Sequence, residues 1–227
     1  MVYDFHTHTS LSDGTLSPIE LIRRASVNNY HAIALTDHAA TGSLGRIIHE
    51  IAEACSLARS YWDILAIPGI ELTHVPAQAI AETAKKAKEL GAWIVVVHGE
   101  TIIESVEKGT NLAALNSPHV DILAHPGLLS LEEAKLAATN AIFLEISIRA
   151  GHCLTNGHIA SLAQQVGAKL LLNSDAHSEQ DLLTPSLANA IIHGTGLDDT
   201  ACHQILIKNP QALIKDLPCH CRNRETD

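Results

Sequence analysis

The stretch Trp93-Ile-Val-Val-Val-His98-Gly-Glu100 decides the fold. A strand with one wet face alternates apolar and polar residues, whereas Trp93–Val97 is apolar at every position. Such a run is buried on both faces, as in a parallel sheet covered by helices. Upstream, Pro76–Leu90 reads as a helix closed by Gly91, the residue that most readily takes a helix-ending left-handed turn. The same alternation runs outward in both directions. Strands are predicted at Val2–Phe5, His31–Leu35, Ile64–Leu72, Val120–Ala124, Ile142–Ile148 and Lys169–Asn173. Helices are predicted at Leu16–Asn28, at about 43–60, and at Leu131–Asn140 and Asn156–Gly167, with further helices near Ser186–His193 and Asp198–Lys208. Ser17-Pro18 with Glu20 is a helix-start signature. Ile102–Ala114 is a weaker segment, and Pro218–Asp227 reads as a polar tail. Alternating strands and helices imply a parallel sheet with helices outside. Seven strands fall one short of the eight-stranded barrel, and a doubly wound open sheet is the competing arrangement.

Nearly every predicted strand delivers a polar side chain at its C-terminal end. His6-Thr-His8 and Asp13 follow the first, and Thr36-Asp37-His38 the second. Glu71, His98 and His125 follow the next three, and Asp175-Ala-His177 the last. In a parallel barrel these ends share one face, where active sites are built. His6, His8, Asp13, His38, Glu71, His98, His125, Asp175 and His177 would then converge. Six imidazoles and three carboxylates form a mixed N/O donor set suited to Zn, Mn or Fe, and unlike a calcium site or a cysteine-type structural zinc. Nine ligands suffice for two or three divalent ions if one carboxylate bridges. A lone histidine at a strand end is ordinarily a hydrogen-bonded structural residue. Nine such groups without a metal would leave buried polar atoms at a high desolvation cost.

Composition narrows the function. The 227 residues carry 15 His and a formal net charge of −10. A hydrophobic fraction of 46% fills a core and excludes general disorder. No apolar run is long enough to span a bilayer. Five scattered Cys do not make a disulfide framework, and the N-terminus lacks a secretory pattern, so a cytoplasmic location is expected. Aromatics are only 3% and no Lys/Arg cluster is present, which makes a long nucleic-acid track an unlikely partner. Bound divalent ions would concentrate positive charge in one pocket of this acidic chain, so a small anionic substrate is still favoured. Residues 1–217 are expected to form a single domain.

The ordered set His6-Thr-His8, Ser12-Asp13-Gly14, Thr36-Asp37-His38, Gly69-Ile-Glu71, His98, His125-Pro126 and Asp175-Ala-His177 resembles the polymerase and histidinol phosphatase (PHP) superfamily over residues 2–193. The resemblance implies a distorted seven-stranded (β/α) barrel, a trinuclear metal site and phosphoester hydrolysis. It assigns one ion to His6, His8, Glu71 and Asp175, and a second to His98, His125 and a bridging Glu71. The third takes Asp13, His38 and His177. Some relatives carry His where this chain has Asp13, a change that keeps an acceptable ligand. Glu71, Asp175 and His177 would bear directly on catalysis. Arg149, just past the Leu144–Arg149 segment, is placed to grip phosphate with its planar fork. His74, His152 and Asn156 are candidates to line the substrate pocket. Glu100 reads either as a hydrogen-bond partner of His98 or as a solvated carboxylate. The Cys219-His-Cys221 pair reads as part of a mobile tail. Three functions follow. The first is a phosphatase acting on a small, histidinol phosphate-like phosphomonoester. The others are a nucleotide phosphodiesterase or short-oligonucleotide exonuclease, and a non-catalytic metal-bearing scaffold.

Overall fold

The computed structural model describes residues 1–218; the predicted Cys219/Cys221 tail lies outside the described residues. Seven parallel strands form the barrel wall: β1 (Val2–Asp4), β2 (Tyr30–Leu35), β4 (Leu65–Leu72), β5 (Ile94–His98), β6 (Ile122–Ala124), β7 (Phe143–Ser147) and β8 (Leu170–Asn173). The two-residue β3 (His38–Ala39) prolongs the β2 path, pairing His38 with Glu71 on β4. Leu35 pairs with Pro68 and His38 with Glu71, so the register is unbroken across Thr36-Asp37. Each neighbour in the sheet follows its predecessor in the chain, which settles the choice in favour of the barrel over the doubly wound sheet. Helices α1 (Pro18–Val27), α2 (Leu44–Tyr61), α3 (Ile80–Glu89), α4 (Thr110–Leu115), α5 (Leu131–Thr139) and α6 (Asn156–Val166) alternate with the strands.

Strand periodicity divides the core. Ile33, Leu35, Val95, Val97, Leu123, Leu144 and Ile146 face the helices. Ala32, Ala34, Ile67, Ile94, Val96, Ile122, Phe143 and Leu171 fill the barrel interior. Successive same-side residues turn from apolar to polar on approaching the C-terminal face: Ile67 gives way to Glu71, Val96 to His98, Phe143 to Glu145, and Leu171 to Asn173. All four polar residues are buried.

The barrel closes between its last and first strands by contacts just past the strand ends. The Phe5 amide donates to Oδ1 of Asn173 at 2.9 Å. Asp175 donates its amide to the His6 carbonyl at 2.9 Å, and His8 donates to the Ala176 carbonyl at 2.8 Å.

Two segments differ from the sequence expectation. Between β5 and β6 the helix is confined to Thr110–Leu115, and residues 99–109 form a loop over the mouth. At the C-terminus, α7 (Pro185–Gly194) and α8 (Asp199–His203) lead into a π turn at Gln204–Lys208. The chain then continues as α9 (Asn209–Lys215), past the end expected at Lys208. Pro210 sits in the first turn of α9, where its missing N–H is not needed, so it starts a helix there. Leu213 and Leu217 close the bottom of the barrel against Tyr3, Phe5 and Ile67.

Candidate metal centre

The C-terminal ends of the strands bring all nine predicted ligands into one mouth. Nε2 of His6 lies 3.3 Å from Oε1 of Glu71 and 3.8 Å from Oδ1 of Asp175. His8 places Nε2 at 3.1 Å from Asp175 and 3.7 Å from Glu71. His125 Nε2 stands 3.8 Å from Glu71 and 3.7 Å from Asp175. On the outer side, Asp13 is 3.6 Å from Nε2 of His38 and 3.2 Å from Nε2 of His177. His98 meets His125 edge-on, with ring centroids 4.4 Å apart. Four groups hold ligand atoms within 4.8 Å of one another: His6/His8/Asp175, His6/Glu71/His125, His8/Asp13/His38/His177 and His98/His125/His152.

Two of these side chains sit on unusual backbone. His125 has φ 27° and Asp175 φ 53°, a left-handed region that costs ordinary residues about 1–3 kcal/mol and recurs at functional sites. The Asp175 amide is fixed to the His6 carbonyl, so the barrel seam holds the strained residue in place.

Burial and neighbouring charge set the protonation of the ligands. Burial holds His8 and His125 below the ordinary imidazole range, the latter aided by His98, which favours the neutral form a metal requires. Burial pushes Glu71 and Asp175 up, but surrounding imidazoles hold both well below the usual carboxylate range: His6 and His38 act on Glu71, and His6 and His8 on Asp175. For His6, burial is outweighed by Glu145, Glu71 and Asp175, so its imidazole is raised. His38 is likewise pushed up to about 10, with Glu71 and Asp13 overcoming burial.

The polar atoms left over fit a metal. Nε2 of His6, both ring nitrogens of His8 and Oε1 of Glu71 are buried without a hydrogen-bond partner. Unpaired polar atoms cost roughly 1–3 kcal/mol each, yet here they lie around one space beside two buried carboxylates. Among the described residues, Arg149 is the one Lys or Arg paired with a carboxylate of this cluster, its Nε 3.6 Å from Asp175. Divalent ions would satisfy both the orphan nitrogens and the buried negative charge.

Several neighbours not predicted from sequence hold the candidate ligands in place. Glu145 accepts from Nδ1 of His6 at 2.7 Å and from Asn173 at 2.9 Å. The His6 tautomer that donates to Glu145 leaves a lone pair on Nε2 for an ion. Its signal was a single acid in the apolar strand Phe143–Ser147, on the same side as Phe143. Asp37 gathers the loop that carries Asp13, accepting from the Thr9 amide at 2.8 Å, the Ser12 amide at 3.1 Å and the Ser12 hydroxyl at 2.7 Å. That loop folds so tightly over His8 that a Cβ on Gly14 would collide with the His8 carbonyl. Glu104 faces Nε2 of His98 at 3.6 Å and Nε2 of His74 at 3.8 Å.

The predicted substrate contacts separate. Arg149 is half-buried; its Nη1 lies 2.7 Å from Nδ1 of His177 and donates to the Asp175 carbonyl at 3.2 Å. His74 is exposed on the rim. Asn156 turns inward to the Ser147 backbone, donating to its carbonyl and accepting from its amide. His152 is buried, 3% exposed, among the ligands. Glu100 accepts from the Gly109 and Asn111 amides, which excludes it as a partner of His98. The Nδ1 proton of His98 goes instead to the Gly99 carbonyl at 3.0 Å. An open cleft of about 390 Å³, lined in part by Asp13, His38, Thr73, His74 and Glu104, leads into the centre.

Fold and site together define an α/β barrel with a candidate metal centre. The chain belongs to the PHP domain family, whose profile matches residues 4–140. It is 47% identical over 216 residues to an uncharacterized protein of Methanocaldococcus jannaschii, covering 95% of this chain and 99% of that protein. It is also 27% identical over 194 residues to a probable phosphatase of Caldanaerobacter subterraneus subsp. tengcongensis, covering 78% and 76%. Among solved structures, a chain of archaeal ribonuclease P with mature tRNA has the same fold, with TM-score 0.67, 16% identity and 93% and 89% coverage. No helix among the described residues is long and apolar enough to cross a membrane.

Proposed function

We propose that this chain is a metal-dependent phosphoesterase that hydrolyses a small phosphomonoester, in the manner of histidinol phosphate hydrolysis. One observation carries the reading: orphaned, buried ring nitrogens of His6 and His8 and Oε1 of Glu71 converge where divalent cations would satisfy them. His6, His8, Glu71 and Asp175 would hold one divalent ion, Glu71 with His98 and His125 a second, and Asp13, His38 and His177 a third. Zn, Mn or Fe suits this donor set. When bound, such ions polarise a phosphoryl oxygen and bring the acidity of water near neutrality.

The chain's own groups do the rest. Arg149 stands beside Asp175 and His177, where its guanidinium can donate to two non-bridging phosphate oxygens in a two-pronged contact. Glu145 keeps His6 in the ligating tautomer. His74 and Glu104 border the cleft through which the alcohol portion of the substrate would extend. No serine or cysteine nucleophile is required, so no covalent phosphoenzyme is expected. The support from relatives is the probable phosphatase at 27% identity.

The test begins with elemental analysis of the purified full chain. More than one transition metal per chain is expected, with turnover lost on chelation and recovered on metal return. Phosphomonoesters, dinucleotides and short oligonucleotides are then compared as substrates. Preferential cleavage of the oligonucleotides would replace this reading with a nuclease. Full metal loading without turnover of any ester would make the chain a metal-bearing scaffold.

A further inference from the structure

His152 reads in the sequence as a pocket-lining residue, but its surroundings are those of a ligand. The ring is 3% exposed and lies nearly parallel to His125, centroids 4.1 Å apart at 21°. Edge-on to it stands His98, at 5.9 Å. Its Nδ1 is fixed by the hydroxyl of Thr101 at 2.9 Å. Among the described residues its Nε2 approaches two carboxylates, Glu104 at 3.9 Å and Asp175 at 4.0 Å, both beyond hydrogen-bond reach. A histidine serving packing alone would be expected to spend both nitrogens on hydrogen bonds once buried. This one is anchored through one nitrogen and offers the other, which is the arrangement of metal-bound imidazoles.

The loop after β5 orients two of the rings at once. The Gly99 carbonyl accepts from Nδ1 of His98 at 3.0 Å and from the Thr101 amide at 2.8 Å. That tight turn sets the Thr101 hydroxyl beneath His152. One three-residue turn therefore aims Nε2 of both rings. Ligand atoms of His98, His125 and His152 lie within 4.8 Å of one another. Donors held about 2.0–2.2 Å from one tetrahedral ion stand about 3.3–3.6 Å apart, so the three nitrogens meet an ion with shifts under about an ångström each.

We infer that His152 is a direct ligand of the ion shared by His98 and His125, making that position a three-imidazole site completed by Glu71. This deepens, and rests on, the metal-dependent reading above. It also makes the ions unequal. A position with three neutral donors and one shared carboxylate leaves more of the ion's charge uncompensated than His6, His8, Glu71 and Asp175 would. The phosphoryl oxygen that gains most negative charge should be drawn to the His152 side.

The test uses the full chain, stripped by chelation and titrated with Co²⁺, whose visible absorption reports the number and geometry of its ligands. His98→Ala serves as the control that loses one ion. His152→Ala should weaken one Co²⁺ by more than the ~10- to 100-fold typical of losing an outer partner, change the spectrum of that ion alone, and regain it on adding imidazole. Thr101→Val, which keeps the ligand but removes its anchor, should weaken the same ion by about 10- to 100-fold; it remains informative if His152→Ala fails to fold. Unchanged Co²⁺ stoichiometry, affinity and spectrum in both variants, with His98→Ala losing its ion, would overturn the assignment and leave the metal-dependent reading standing. A wild-type chain that takes up no transition metal would overturn both.

Discussion

Glu145→Gln should separate the scaffolding of the centre from its ligands. The carboxylate is wholly buried and accepts three hydrogen bonds: from Nδ1 of His6 at 2.7 Å, from Asn173 at 2.9 Å and from the His125 amide at 3.3 Å. Glutamine has nearly the same shape but only one accepting oxygen. If that oxygen serves His6 and Asn173, the new NH₂ group points at the His125 amide, donor against donor. If it serves the His125 amide, the NH₂ faces His6 and selects the tautomer with a proton on Nε2, which cannot bind a cation. Either arrangement sacrifices a charge-assisted hydrogen bond, roughly 1.5–3 kcal/mol. Outer partners of metal-bound histidines typically support about 10- to 100-fold in affinity, or roughly 1.4–2.8 kcal/mol at 1.4 kcal/mol per decade. The two figures agree, so the ion held by His6 should bind about 10- to 100-fold more weakly. Competition with a chromogenic chelator at fixed pH would measure it, alongside a denaturant titration of the metal-stripped protein. Affinity within about twofold of wild type, with Glu145→Gln folded, would refute the claim that Glu145 sets the His6 tautomer.

Glu71→Gln should abolish turnover and lower metal content, because among the described residues Glu71 is the carboxylate that approaches His6, His8, His38 and His125 together; elemental analysis with a phosphatase assay decides it. Arg149→Ala should leave metal content intact and reduce kcat/KM by about 10- to 100-fold, the loss of one or two charge-assisted contacts; metal loss on this substitution would discredit a phosphate role. Asp4 gives a pH prediction for the metal-stripped chain. Burial pushes its carboxyl up to about 7 against hydrogen bonds from Ser174 and His6, so between about pH 4 and 7 the folded state holds a proton that the unfolded state has lost. Stability therefore falls as pH rises through that window, by up to roughly 1.4 kcal/mol per unit from this group. Asp4→Asn should remove that slope, and parallel stability–pH curves for the two proteins would refute it.

The barrel and the convergence of the nine candidate ligands were legible because both rest on short-range signals. A strand buried on both faces must be apolar throughout, and a strand end facing the mouth can afford a His, Asp or Glu. What escaped was set by tertiary context. Glu145 lies in mid-strand, and only the closed barrel turns it toward His6. Asp37 sits inside a recognisable triplet, but its work is done on Thr9 and Ser12, far back in the chain. Glu100, two residues from His98, reads in the sequence either as a partner of that ring or as a group facing solvent, and the Gly109 and Asn111 amides claim the carboxylate instead. His152 could be located near the mouth, but its ring contact with His125 depends on loops after β5, β6 and β7 meeting. The extension through α9 was hidden by Pro210, which ends a helix or begins one according to its place in the turn.

The seam of the barrel ties the site to the completion of the fold. His6 and His8 come from the first strand unit, whereas Asp175 and His177 come from the last, beyond the portion matched by the family profile. The backbone bonds that join Asp175 to His6 and Ala176 to His8 are also the clasp of the cylinder. A nascent chain thus has no complete cage until its two ends have met. If the centre holds metal as proposed, metal capture would report finished folding and a bound ion would act as a rivet across the joint, so chelation should release the clasp before it disturbs the packed layers beneath.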